Sequence, residues 1–160
     1  MMTFNGGLCP PSNPPPKPRQ RYETKKDLDN EQRIAMRLGA KWDCRLVKTP
    51  SSYCVDRGAL RYGTIVSWIE IKKRNMAWGD YDTIMLSLGK ALNAIQLSEI
   101  TGAPFIFAVE DSSNEIRFAK IEKKDIAKWG VRHGGRTVNT RDVDDIEPII
   151  EVPLARFRPI

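Results

Sequence analysis

The sequence predicts an α/β domain in which a mixed sheet is flanked by helices. A segment with helical spacing opens the folded part, three β-rich segments follow it, and a second helical segment separates these from two further β-rich segments. The chain has 160 residues, the size of a single domain.

Residues 1–20 hold Pro10, Pro11, Pro14, Pro15, Pro16 and Pro18 with almost no apolar side chains. Such a segment cannot bury enough surface to offset the entropy of ordering it, so a disordered proline-rich arm is expected. Residues 21–160 then form one domain with a C-terminal extension. In residues 26–38, Leu28, Glu31, Ala35 and Leu38 lie three, four and three apart, and Gly39 offers a C-terminal stop. This spacing places Glu31 among the apolar positions of the helix. Residues 42–47 read as a strand ended by Thr49-Pro50-Ser51-Ser52, and residues 53–60 as a second strand. A turn at Arg61-Tyr62-Gly63 leads to a third strand over residues 64–72. Its alternation sets Val66, Trp68, Glu70 and Lys72 on one face and Ile65, Ser67, Ile69 and Ile71 on the other.

Residues 81–101 carry Met85, Leu88, Leu92 and Ile95 at helical spacing and are closed by Gly102 and Pro104, which predicts a long amphipathic helix. Residues 105–110 and 116–121 flank an Asp111-Ser112-Ser113-Asn114 turn and predict a hairpin. Further on come a short helix to Trp129, a Gly134-Gly135 loop, an acidic stretch from Asp142 to Glu147, and a late strand over residues 149–152. The acidic stretch lacks the glycine and glutamate spacing of a calcium loop and reads as a solvated loop.

The net charge of +6 is unevenly spread: residues 1–74 carry +8 and residues 75–160 carry −2, so a polyanion should meet the first half. His133 is the only histidine, which excludes sites built on two histidines, and Cys9, Cys44 and Cys54 form no C-x-x-C pair. Hydrolytic chemistry would therefore fall to carboxylates and lysines. No apolar run approaches the roughly 18 residues of a membrane span, and no signal-peptide pattern opens the sequence. An intracellular, cytoplasmic protein with no membrane partner is expected.

Glu70 and Lys72 project from one strand face and can meet one substrate. A carboxylate beside a lysine suits phosphodiester hydrolysis assisted by Mg²⁺: the acid binds the hard cation and the ammonium steadies charge on the phosphate. Asp56, on the preceding strand, can supply a second carboxylate. Glu31 is a candidate third acid, because a carboxylate on the inner face of a helix is costly to bury unless paired or bound to metal. The plain alternatives are a same-face ion pair for Glu70 and Lys72, pairing of Asp56 with Arg57, and capping or snorkelling by Glu31.

The order of an acid on a helix, an acid on the second strand, E-x-K on the third strand and then a helix resembles the PD-(D/E)xK nuclease superfamily across about residues 26–121. The matching residues are Asp56 in Cys54-Val55-Asp56, Glu70-Ile71-Lys72, and Glu31 for the helical glutamate. Leu86-Ser87-Leu88-Gly89-Lys90 is similar to the helix motif of small phage-type nucleases and points to Lys90, with Gln96 as the lesser candidate; as a whole the chain resembles small phage-type and Holliday-junction-resolvase-like nucleases. No proline precedes Asp56, a departure at a position without a metal-binding role.

The resemblance implies a restriction-endonuclease-like core and a Mg²⁺-dependent DNA nuclease, with Mn²⁺ able to substitute, encoded by a phage or prophage. Asp56, Glu70 and Glu31 would bind metal, Lys72 and Lys90 would complete the catalytic set, and in-line attack would leave a 5′ phosphate. Arg57, Arg61, Lys73 and Arg74 would hold the phosphate backbone of DNA. Trp78 and Tyr81 either pack on the following helix or stack on bases. A homodimer could cut two strands symmetrically, with the late strand adding to an edge. The contrasting expectation is a non-catalytic DNA-binding or assembly protein on the same fold.

Overall fold

The computed structural model describes residues 23–50, 53–135 and 145–160, so the proline-rich segment and Asp142 and Asp144 lie outside the described residues. Helix α1 spans Lys25–Trp42 and begins at a capping box, in which the Thr24 hydroxyl accepts from the Asp27 amide and the Asp27 carboxylate accepts from the Thr24 amide. It runs past Gly39, the expected stop, and ends at Asp43 in the left-handed conformation. Gly39 serves a close approach instead: a Cβ there would lie 2.8 Å from the Cys44 carbonyl, where the chain folds back on the helix.

Strands β1 (Arg45–Lys48), β2 (Arg57–Arg61) and β3 (Thr64–Lys73) form the expected antiparallel meander, but β1 and β2 start later than expected, because Trp42 still belongs to α1 and residues 53–56, Asp56 among them, come before β2. Tyr62 and Gly63 both take positive φ between β2 and β3, the backbone of a tight hairpin whose twist matches its strands. The region expected as one long helix divides in two. Strand β4 covers Thr83–Ser87 with Ile84 and Leu86 buried, and helix α2 covers Leu88–Thr101 with Ala91, Ala94 and Ile95 buried. Ser87 is the N-cap that ends the one and starts the other, accepting from the Lys90 amide at 3.4 Å. Leu92, expected on the apolar face, is exposed.

The hairpin β5 (Phe105–Glu110) and β6 (Ile116–Ile121) and the short helix α3 (Lys123–Trp129) match expectation. Gly134 and Gly135 are not a loop but the end of strand β7 (Val131–Gly135), where a Cβ on Gly135 would sit 2.1 Å from the Asp145 carbonyl. Strand β8 spans Ile146–Pro153 and β9 is Arg158–Pro159.

The main sheet has the order β1-β2-β3-β5-β6-β9, with β3 and β5 parallel and the other pairs antiparallel. A smaller sheet has the order β4-β8-β7. Strand β8 pairs with β4 over residues 149–153 and with β7 over residues 146–150.

Side-chain alternation gives the main sheet two apolar faces. Ile69, Ile71, Ile106, Ala108 and Ile116 pack under α1 with Ile34, Ala35 and Leu38. Trp68, Phe105, Phe107, Val109 and Ala119 face the other way, against α2, Ile84, Ile150 and Val152. The expected alternation of β3 fails at one end. Ala59 pairs with Ser67 but Leu60 with Ile65, so Val66 is an extra residue, and this bulge puts Val66 on the α1 face and Ile65 on the Trp68 face.

Helix α1 is also tied to the sheet by charge. The fully buried Glu110 carboxylate receives Arg33 at 2.6 Å, Arg37 at 2.8 Å and Lys73 at 2.8 Å. Burial would raise its pKa, but Arg33 and Lys73 outweigh burial and hold it below the ordinary glutamate value. Glu110→Ala is expected to cost roughly 2–4 kcal/mol in urea unfolding, less than a fully buried pair because both arginines reach solvent. A depressed pKa contributes stability that is complete above the unfolded value near ~4.3 and is lost as pH falls through the folded one, so the parent–variant difference should shrink below about pH 4.

Candidate active site

The site begins with the two-residue repeat of β3. Glu70 and Lys72 follow Trp68 on the face turned toward α2, which brings their side chains under the first turn of that helix. Lys90, in that turn, donates from Nζ to Glu70 Oε1 at 2.5 Å, and Lys72 Nζ lies 2.9 Å from the same oxygen. Asp56 immediately precedes β2 and is locked to β3 by two contacts. Its amide donates to the Ile69 carbonyl at 3.1 Å, and its Oδ2 accepts from the Ile71 amide at 2.9 Å. The other oxygen, Oδ1, stands 3.8 Å from Lys90 Nζ. Four of the predicted residues, Asp56, Glu70, Lys72 and Lys90, thus meet in one cluster of two acids and two ammonium groups.

Burial pushes the Glu70 carboxyl above the ordinary glutamate value, with Lys72 opposing and Asp56 reinforcing the shift. Burial would lower Lys90, but the charges of Glu70 and Asp56 outweigh it and raise its pKa. Arg74, one strand repeat beyond Lys72, is lowered by burial against the attraction of Glu70. Among the described residues, Glu70 Oε2 is buried and accepts no hydrogen bond. An orphaned carboxylate oxygen is costly unless something satisfies it, and a cation does so.

No group of three or more His, Cys, Asp and Glu side chains is placed to hold a metal among the described residues. Two carboxylates suffice for Mg²⁺, which keeps several of its own waters. The oxygens of Asp56 and Glu70 therefore fit a hard divalent cation.

Glu31 is not brought to this cluster. Alternation turns Arg57, the neighbour of Asp56, to the opposite face of β2, and there its Nε donates to Glu31 Oε1 at 2.8 Å while Lys48 holds Oε2 at 2.7 Å. The basic candidates divide in the same way. Arg57 is buried on Glu31, Lys73 is engaged by Glu110, and Arg61 donates to the carbonyls of Trp42 and Asp43. Arg74 alone of the four shares the face of Glu70 and Lys72. Gln96 is exposed on α2.

Trp78 is held inside the fold by Phe157 at 5.4 Å between ring centroids and by a hydrogen bond to the Glu115 carbonyl, whereas Tyr81 is 63% exposed. Ser87 is a positioning residue that sequence reasoning missed. Besides capping α2, its hydroxyl donates to Glu147 at 2.8 Å, so it fixes where Lys90 enters the cluster. The available signal was the strand-like alternation of residues 83–86 just before a serine.

Over residues 17–160 the sequence matches the protein family described as "Phage putative PDDEXK endonuclease". The chain belongs to this family of PD-(D/E)xK nucleases. Membership supports reading the chain as a nuclease. No curated protein matches the sequence. Among solved structures it is similar to the Holliday junction resolvase Hjc of Archaeoglobus fulgidus, at 18% identity and a TM-score of 0.49, covering 77% of this chain and 87% of that one. Among the described residues no helix is long and apolar enough to cross a membrane.

Because Glu70 is a buried charge with an unpartnered oxygen, Glu70→Gln is expected to stabilise the protein in EDTA by about 1 kcal/mol, or about 2–4 °C in Tm. A thermal melt checks this, and a lower Tm would show that the two lysines already compensate the charge.

Proposed function

We propose that this nuclease hydrolyses the phosphodiester bonds of branched or otherwise processed DNA, in phage recombination or DNA processing, at the Asp56, Glu70, Lys72 and Lys90 cluster, with Mg²⁺ as the natural cofactor and Mn²⁺ as a substitute. The observation that carries this reading is the pair of carboxylates converging on Lys90, with Glu70 Oε2 left without a donor. A divalent cation held by Asp56 and Glu70 would polarise the phosphate and ease ionisation of the attacking water.

The remaining work falls to the lysines. Lys72 Nζ is tied to Glu70 at 2.9 Å yet its side chain is partly exposed, so it is placed to donate a hydrogen bond to a phosphate oxygen or to orient the water. Lys90 favours the ionised form of Glu70 and thereby keeps the acid ready to bind a cation. Glu31 acts at one remove: it anchors Arg57, whose neighbour in sequence is Asp56. Cutting both strands of a duplex would need a second site, which a second copy of the chain would supply.

Labelled linear, single-stranded, flapped and four-way-junction DNAs in Mg²⁺, Mn²⁺ or EDTA provide the test. Cleavage is expected only with metal, and Lys72→Ala should lower its rate by about 10²–10⁴-fold while the protein still folds, with a lower melting midpoint because Glu70 loses one of its two ammonium partners. Tight DNA binding without cleavage under every metal would replace the reading with a non-catalytic one. Metal should also raise the midpoint of the parent, by the equivalent of about 2.7 kcal/mol at a hundredfold excess over Kd, and should leave an Asp56→Ala, Glu70→Ala double variant unmoved.

A further inference from the structure

Next to the catalytic cluster lies a cavity of about 360 Å³ between the end of β3 and the smaller sheet. It is within the size range of small-ligand sites. Arg74 links the two places. Its amide continues the ladder of β3 by donating to the Glu110 carbonyl at 2.8 Å, and it follows Glu70 and Lys72 at two-residue spacing on the same face. Arg74 therefore lies roughly 7 Å along the strand from Lys72. Among the described residues its guanidinium makes one hydrogen bond, from Nη2 to the Met85 carbonyl at 3.0 Å, and the other donors are free for a ligand.

The rest of the wall is of two kinds. Met76 and Met85 give it apolar surface, and Tyr81 sits on it with its ring largely exposed. Among the described residues the Tyr81 side chain takes part in no hydrogen bond or ring contact. Asn75 adds an amide able to donate and accept, and Arg132, on the far side, is neutralised by Glu151 at 2.6 Å. A guanidinium with free donors, a free aromatic face, an amide and a thioether-lined slot together match a nucleotide: the base stacks, its edge bonds to an amide, and its phosphate meets the arginine. A base paired inside a duplex could not enter.

We propose that this cavity takes one unpaired nucleotide of the DNA substrate, adjacent to the phosphate at Lys72, with its base on Tyr81 and a phosphate or base-edge oxygen on Arg74. The proposal rests on the nuclease reading for the presence of DNA, and it names what that DNA must offer: a nucleotide out of the stack, as at a branch, a flap or a frayed end.

The test is binding by fluorescence anisotropy, in EDTA and in Ca²⁺, to three duplexes that are otherwise identical. One carries a single extrahelical nucleotide, one an abasic residue at that place, and one is fully paired. The full chain should bind the extrahelical nucleotide at least about fivefold more tightly than the abasic residue, as a base–aromatic stack provides. Tyr81→Ala should bring that ratio to about one, and Tyr81→Trp should preserve it. Because Tyr81 is exposed, both variants should melt with the parent.

Equal affinity of the parent for base and abasic residue, a ratio that survives Tyr81→Ala, or no binding to any of the three duplexes would overturn the proposal. So would a free deoxynucleoside monophosphate that binds as tightly as the extrahelical DNA, since the ligand would then be a small molecule. Failure of the nuclease reading shows itself separately, as absence of cleavage in Mg²⁺ or Mn²⁺ whatever this ratio is.

Discussion

The arrangement depends on one carboxylate placed where water cannot reach it. Glu70 sits on the apolar face of β3 beside Trp68, and an acid there would ordinarily take up a proton or be lost from the core. The surroundings answer that difficulty in part. Lys72 comes from the same strand, Lys90 from the start of α2, and both reach a single oxygen, while the other is left bare. The position of α2 is tied to the same need: had β4 continued as helix, as its spacing suggests, the N-cap at Ser87 would not exist and Lys90 would point elsewhere. The burial that makes Glu70 unfavourable in isolation is also what would make its contact with a cation strong.

Alternation along the strands sorts the charged residues into two populations. Asp56, Glu70, Lys72 and Arg74 face α2. Arg57 and Lys73, their immediate neighbours, face α1 and pair with Glu31 and Glu110. The basic character of the first half of the chain is thus partly internal, serving to hold a helix on a sheet. A polyanion would therefore find fewer free cations here than the sequence suggests.

Much of this was legible in the residues. The meander, the hairpin over residues 105–121 and the E-x-K strand follow from alternation and turn chemistry, which are local. Asp56, Glu70, Lys72 and Lys90 could be named because motif order stands in for contact. What escaped was nonlocal. Residues 83–87 fit a helical and a strand pattern equally, and only pairing with β8, some sixty residues on, decides for the strand. Gly39 suited a helix end by composition, but its role is set by the Cys44 carbonyl that turns back on it. Glu31 has the spacing of an inward-facing acid, and what it meets inside is an arginine, whose orientation depends on the parity of β2. The bulge at Val66 likewise leaves no mark in the sequence, since both Val66 and Ile65 suit either face.

The pairing of β4 with β8 has a consequence for how the chain reaches this state. The meander can close as soon as its own residues are made, because its contacts are near in sequence. Strand β4 cannot: its partner β8 comes only after α2, β5, β6, α3 and β7, and pairing so far apart in sequence is slow. During synthesis the segment 83–87 would present unpaired backbone and the apolar side chains of Ile84 and Leu86, a template for mispairing until residues 146–153 emerge. The meander rests on contacts near in sequence, whereas the wall of the cavity that carries Met85 and Arg132 rests on distant ones.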